Sequence, residues 1–359
     1  MTDLTTLLAP TTVGALTLPN RVVMAPMTRS RASADHVVQP ITGTYYAQRA
    51  TAGLLISEAT AVMPQGVGNP NVPGLWSEEQ VAGWRVVTDA VHAAGGRIVA
   101  QLWHVGRNSL PDFQPGGALP VSASAIAPAG ATLLTRGYEP QPVPVPRALE
   151  THELPGIVAA FAEGARHAIA AGFDAVEVHG ANSYLLDQFL RDGTNKRTDA
   201  YGGSAENRAR LLVEVTEAVA AAVGADRTGV RLSPENPWNE MSDSDPRATF
   251  STVARLLSEF DLAYLHVMRG KTAGVVEGIR DAFQRPLMLN GGYTAEEADA
   301  TIKSGLADTI AFGVPFIANP DLVARFRTGA PLAQADMSKL YGGGEAGYTD
   351  YPALAGVGA

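Results

Sequence analysis

Short apolar runs rich in β-branched residues recur along this chain. Each is followed by a loop and a stretch of helix-like pattern. The runs fall at residues 21–25, 54–57, 97–102, 174–178, 228–232, 262–267, 286–289 and 308–312. Their length and bounding turn residues predict strands. Between them, Ser77-Glu78-Glu79 opens a helix through Ala94, and Leu154 to Ala171 is Ala-rich with apolar residues on one face. Ser204 starts a helix through Val223, with Glu206 near its first turn, and Thr294-Ala295-Glu296-Glu297 opens another through Lys303. Gly95, Gly172, Gly224 and Gly305 stand where glycine closes helices.

Eight strand–helix alternations predict a parallel sheet closed by helices, the count of a (β/α)8 TIM barrel. A Rossmann-like open sheet is the alternative. Such a barrel takes about 250 residues, and this chain has 359. The surplus falls in two places. Residues 103–149 are rich in Pro, Gly and Ser with no helical period, which predicts an insertion after strand three, carrying a small hairpin on the catalytic face. From Tyr341 onward the chain is a Gly-rich extension. No linker divides the sequence, so a single domain spanning 1–359 is expected.

Composition narrows the function. The net charge of −9 argues against nucleic acid or an anionic membrane as partner. There is no cysteine, which removes disulfides, thiolate nucleophiles and Cys-ligated metals. No apolar run approaches the roughly 18 residues of a membrane span, and the first residues lack the pattern of a secretory leader. A cytoplasmic protein acting on a small molecule, as a monomer or homodimer, is expected.

In a barrel of this kind the chemistry sits just after the strands. Those positions carry Pro26, Met27, Thr28 and Arg29 after strand one, and Glu58, Ala59 and Thr60 after strand two. Strand three ends in Gln101, Trp103 and His104. Strand four leads into His179, Asn182 and Tyr184, and strand five ends in Arg231. Asn290, Gly291 and Gly292 follow strand seven, and Gly313 follows strand eight. This ring of neutral donors with one Arg lacks the facing acids of a glycosidase and the clustered His and Asp of a metal hydrolase. A Schiff-base aldolase would rest on Lys271 alone. The set suits gripping a planar, hydrogen-bonding cofactor and polarising a carbonyl. Three weaker patterns carry no site. The glycines from Gly342 to Gly347 match a dinucleotide fingerprint but follow no strand, and Gly270-Lys271-Thr272 lacks the upstream glycine of a P-loop. Asp243 and Asp245 read as a solvated turn.

The stretch from His179 to Leu190, HGANSYLLDQFL, and the NKRTDAYGGSAENR that follows from Asn195 to Arg208, resemble the signature of the Old Yellow Enzyme family. The resemblance extends over essentially the whole chain, through 24–29, 57–60, 101–104, 231–234 and 317–322, and the end from Tyr341 through Pro352 is similar to the pentaerythritol tetranitrate and N-ethylmaleimide reductase branch. It implies an FMN-dependent ene-reductase, reduced by NADPH or NADH that binds only transiently, hence with ping-pong kinetics. By resemblance, Thr28 bonds the flavin O4, and Gln101 and Arg231 hold the pyrimidine edge. Ala25, Pro26, Met27, Thr28 and Ala59 line the ring, and Gly291, Gly292, Gly313 and Val314 surround the phosphate. His179 and Asn182 then bind the substrate oxygen, and Tyr184 donates the proton. Each has a plainer reading: His179 as a structural hydrogen-bonder, Tyr184 as core packing, Arg231 paired with Glu177 or Glu235, Thr28 as a helix cap, and Gln101 bonded to a neighbouring strand. Arg29, Arg31 and Trp103 read as scaffold, the two arginines at the surface.

The family commonly has an Arg after the glycine of strand eight, where this chain has Val314. That implies weaker FMN binding by roughly 1.5–3 kcal/mol. The alternative function is a barrel without flavin, an isomerase or binding protein. Asn69 and the loop Met268-Arg269-Gly270 also depart from the family pattern, at the expected substrate pocket.

Overall fold

Residues 3–354 are described by a computed structural model. Its centre is a closed barrel of eight parallel strands: Val22–Met24, Leu54–Ile56, Ile98–Trp103, Ala175–Gly180, Thr228–Leu232, Tyr264–Met268, Leu287–Asn290 and Thr309–Phe312. Strand eight pairs with strand one in the register Phe312↔Met24, and strand three with strand four at Gln101↔Glu177, so no edge of the barrel is left open. All eight predicted strands are present, within two residues at each end. The closed ring rules out the open-sheet alternative.

Local chemistry explains where the helices begin and end. Ser77 accepts from the Gln80 N–H while Gln80 reaches back, a capping box that opens Glu78–Ala93. Thr294 and Glu297 do the same for Ala295–Lys303. Ser204 caps Ala205–Val223. Leu154–Ala170 completes the predicted set. Gly95, Gly172, Gly224 and Gly305 all lie at positive φ beyond helix ends, which glycine adopts without a Cβ penalty. The other barrel helices are Pro40–Ala47, Pro246–Leu257, Val275–Ala282 and Leu322–Thr328.

Two packing layers hold the barrel. Outside the sheet, Val22, Leu55, Ile98, Val176, Val230, Leu265, Leu287 and Ile310 pack against the helices. Inside, Val23, Leu54, Val99, Tyr264 and Met288 form a second cluster. A hairpin of Thr11–Val13 with Leu16–Leu18 contributes Val13, Leu16 and Leu18 to that inner cluster and so plugs the barrel. Gly229 permits the inner packing: a Cβ there would stand 2.4 Å from the Tyr264 ring.

The insertion after strand three holds the expected hairpin, Thr132–Leu134 paired antiparallel with Pro140–Pro142. Val121–Ser122 and Arg147–Ala148 pair in parallel at its base. The Gly-rich C-terminal extension is tied down by two arginines. Arg29 donates to the carbonyls of Leu340 (3.0 Å) and Gly347 (2.7 Å), and Arg31 to that of Leu340 (3.1 Å). Tyr348 stacks on Tyr45 with ring centres 4.0 Å apart. Arg29 and Arg31 are therefore buried struts rather than surface residues, as exposures of 1% and 5% show. Most of the backbone acceptors of their polar heads are supplied by the folded tail.

Asp243 differs from the solvated turn expected of it, whereas Asp245 is exposed. Asp245 caps Pro246–Leu257 by accepting the Ala248 N–H at 3.0 Å. The Asp243 carboxylate is buried and accepts the Thr249 hydroxyl at 2.9 Å. Among the described residues no helix is long and apolar enough to cross a membrane, and no cluster of His, Cys, Asp or Glu is arranged to hold a metal.

Candidate active site

Because the strands are parallel, their C-terminal ends meet on one face, and the candidate residues lie there. Strand four is the richest. It delivers His179 to the rim, directly opposite Arg231 of strand five. The chain then takes two consecutive left-handed residues, Asn182 (φ 56°) and Ser183 (φ 67°), before Tyr184 heads the buried helix Leu185–Leu190. Non-glycine residues in this region are strained by about 1–3 kcal/mol each. The strain turns the chain back on itself, so that the Tyr184 ring meets His179 at 5.1 Å and Trp103 at 4.9 Å, both edge-on.

The surroundings set the protonation states. Burial holds the His179 imidazole well below its ordinary range, helped by the charges of Arg231 and His266. It is therefore neutral near pH 7 and offers one N–H, and its Nδ1 is buried without a partner. Burial, with Tyr341 of the C-terminal extension, pushes the Tyr184 phenol up to about 12 against the pull of Arg231. Tyr184 stays protonated at any physiological pH. Asn182 accepts the Asn236 amide through its Oδ1 at 2.8 Å, which turns its Nδ2 donors the other way. Two neutral donors and a protonated phenol thus share one short segment.

Below the rim, Gln101 donates to Glu177 at 2.7 Å, leaving its own carbonyl as a free acceptor. His266 bonds the other Glu177 oxygen at 2.9 Å. Against the upward push of burial, His266, Arg231 and Gln101 hold Glu177 below the usual carboxylate range. Arg231 makes no direct ion pair with either glutamate and feels Glu177 only through its charge. Glu177 is engaged by other side chains, Glu235 accepts the Thr272 N–H at 3.0 Å, and the Arg231 Nε is buried with no partner.

At the ends of strands one and two, Ala25 and Ala59 are buried, and Pro26, Met27 and Thr28 are half-buried in chain without regular structure. Thr28 caps no helix. Beyond strand seven, Gly291 (φ 127°) is crowded by Arg269, whereas a Cβ on Gly292 (φ 75°) would meet nothing within 4 Å. Gly313 has only the Met27 side chain nearby, 3.6 Å from the position of a Cβ, so the loops after strands one and eight adjoin. Loops after strands seven and eight, followed by a short helix, are a recurrent phosphate site in TIM barrels. That helix here is Val314–Ala318, and Val314 itself is 53% exposed. A flavin fits these residues on three counts. The Gln101 acceptor and the unpartnered Arg231 donor complement a ring edge that carries both kinds of group, and the backbone at Gly292 and Gly313 is uncovered.

The motifs assigned no role to four further residues of the site. Asp187, Arg191, Ser233 and Asn236 form a buried network beneath the strained turn. Asp187 and Arg191 are paired at 2.9 Å and almost wholly buried. Their signal was an acid and a base four residues apart across the end of the short helix Leu185–Leu190, the spacing that places them side by side.

A parallel barrel with neutral donors and an uncovered backbone cradle at its rim defines a class of cofactor-binding oxidoreductases. Similarity to known proteins agrees: residues 6–333 match the NADH:flavin oxidoreductase / NADH oxidase family, and the chain belongs to it. It is 44% identical to a probable flavin mononucleotide-dependent alkene reductase of Leishmania infantum, over 96% of this chain and 97% of that one. Morphinone reductase in complex with tetrahydroNAD superposes with a TM-score of 0.94 at 48% identity, covering 97% of both chains. An old yellow enzyme homologue from Zymomonas mobilis superposes with a TM-score of 0.94 at 47% identity, covering 97% of this chain and 100% of that one. The protein is an enzyme, a flavin oxidoreductase that uses a nicotinamide reductant, which leaves the flavin-free barrel without support.

Proposed function

We propose that this protein is an FMN-dependent ene-reductase, driven by NADPH or NADH, that reduces the C=C bond of α,β-unsaturated carbonyl or nitro compounds. The observation that carries the proposal is the placing of His179 at the end of strand four with Asn182 and a protonated Tyr184 on the strained turn that follows it. Thr28, Gln101, Arg231 and the chain at Ala25–Thr28 and Ala59 would hold the flavin ring. Backbone at Gly291, Gly292, Gly313 and Val314 would hold its phosphate. When bound, FMN supplies the hydride that reaches the β carbon of the substrate.

The chain's own residues do the rest. Negative charge develops on the substrate oxygen as the double bond is reduced. The His179 and Asn182 N–H groups are fixed donors for that charge, and loss of one such donor typically costs about 10²–10³ in rate. Both donors are neutral, so their contribution is directional and costs no buried charge. Tyr184 then gives its phenolic proton to the α carbon, a step worth about 10²–10⁴. With its pKa held high, the tyrosine is a proton donor throughout the physiological range and recovers its proton from solvent.

The test is the visible spectrum of the FMN-loaded protein under anaerobic conditions. NADPH should bleach the flavin band and cyclohexenone should restore it. Tyr184→Phe should bleach at the parent rate and recover about 10²–10⁴-fold more slowly with the enone. Recovery at the parent rate in that variant would refute the proton-donor role.

A further inference from the structure

We infer that Asn236 is a positioning residue that sets which way the Asn182 amide faces, and so makes Asn182 a donor to substrate. The inference rests on the proposed role of Asn182 as a substrate-oxygen donor. An asparagine presents a donor from one end and an acceptor from the other, and the two ends have nearly the same shape. Turned by 180°, Asn182 would offer its carbonyl to an oxygen that is gaining negative charge. Something must choose between the two orientations.

The choice can be traced from a group whose role is fixed. A backbone N–H can only donate. The Trp238 N–H donates to the Asn236 Oδ1 at 3.1 Å. That makes the other end of Asn236 its NH2, which donates to the Asn182 Oδ1 at 2.8 Å. The Asn182 Nδ2 is then left to face away from Asn236. Asn236 is 5% exposed, so water does not compete for either bond.

The same network fixes the backbone on which this amide stands. Arg191 donates to the carbonyls of Asn236 (2.8 Å) and of Ser233. The Ser233 hydroxyl accepts the Asn182 N–H at 2.7 Å. Asp187, the partner of Arg191, accepts the Ser183 N–H at 2.9 Å. The two left-handed residues and the loop after strand five are thus held by one set of bonds, and Asn236 is the member that reaches the donor itself.

The sharpest perturbation is Asn236→Asp. It preserves shape and still accepts from the Trp238 N–H, but its second oxygen can only accept. The Asn182 amide then turns its NH2 toward the introduced carboxylate and its carbonyl toward the substrate. The experiment compares the parent, N182A, N236D, N236A and the double variant N182A/N236D, each loaded with FMN. The reading is the rate at which cyclohexenone reoxidises the reduced flavin, with thermal melting alongside. We expect N236D to lose about 10²-fold or more, at least as much as N182A. The double variant should be no slower than N182A, because Asn236 acts only through Asn182. N236A, which frees the amide without inverting it, should fall between parent and N182A. Two results overturn the inference: N236D as fast as the parent, or a double variant slowed by the product of the two single effects. If N182A itself reoxidises at the parent rate, the donor role of Asn182 falls and the inference falls with it, a result distinguishable because the N182A single variant alone shows it.

Discussion

Glu58, at the end of the second barrel strand, gives the pH dependence its clearest test. It is 1% exposed, and one carboxylate oxygen accepts the N–H groups of Arg29 (3.0 Å) and Ser30 (3.4 Å). Burial pushes its pKa up to about 7 from the ordinary 4.5, against those two bonds and the charges of Arg29 and Arg31. The folded value thus exceeds the unfolded one. Its stabilising contribution is complete below pH 4.5 and is lost as the pH climbs through 7. At about 1.4 kcal/mol per pH unit, the span is worth about 3 kcal/mol. Glu58→Gln keeps an acceptor for both N–H groups and carries no charge at any pH. It should exceed the parent by less than about 1 kcal/mol at pH 5 and by about 3 kcal/mol at pH 8. Unfolding entropy near 2.1 cal/mol/K per residue gives about 0.75 kcal/mol/K for a chain of this length, so Tm at pH 8 should rise by about 4 °C. Thermal melts followed by circular dichroism at the two pH values make the comparison. A variant that gains nothing at pH 8 over pH 5 would show that Arg29 and Arg31 fully offset the buried charge.

Other expectations follow from single contacts. Asp187→Ala leaves the Arg191 guanidinium, 1% exposed, without its counter-ion and frees the strained Ser183 N–H. Urea titration should show a loss of about 3–5 kcal/mol. Val314→Arg restores a cation beside the uncovered backbone at Gly313, and fluorescence titration should show FMN binding tighter by about one to two decades. An unchanged Kd would remove Val314 as a weak point in phosphate binding.

Much of the barrel is written in short-range patterns. The eight apolar runs are strands because each is too short to be a barrel helix and is bounded by turn residues. The helix ends at Ser77, Ser204 and Thr294 follow from side chains that satisfy N–H groups three residues away. These are local effects, and a linear pattern contains them. The candidate residues His179, Asn182, Tyr184, Gln101 and Arg231 were legible for a related reason. Strand ends are identifiable, and in a barrel the strand ends form the site.

What the linear pattern could not contain is which polar group meets which across the fold. The sequence marked Arg29 and Arg31 as scaffold, but their burial depends on carbonyls more than 300 residues away. Glu177 was a possible partner for Arg231, yet its oxygens are occupied by Gln101 and His266, one 76 and the other 89 residues distant. The direction of the Asn182 amide is settled by Asn236, 54 residues on, through a loop belonging to another strand. The sequence determined that this chain forms a barrel and which residues stand at its mouth, because propensity, capping and apolar period act between near neighbours. Only the tertiary structure decided the protonation and orientation of those residues, because burial and hydrogen-bond partnership depend on what the closed barrel brings together from distant parts of the chain.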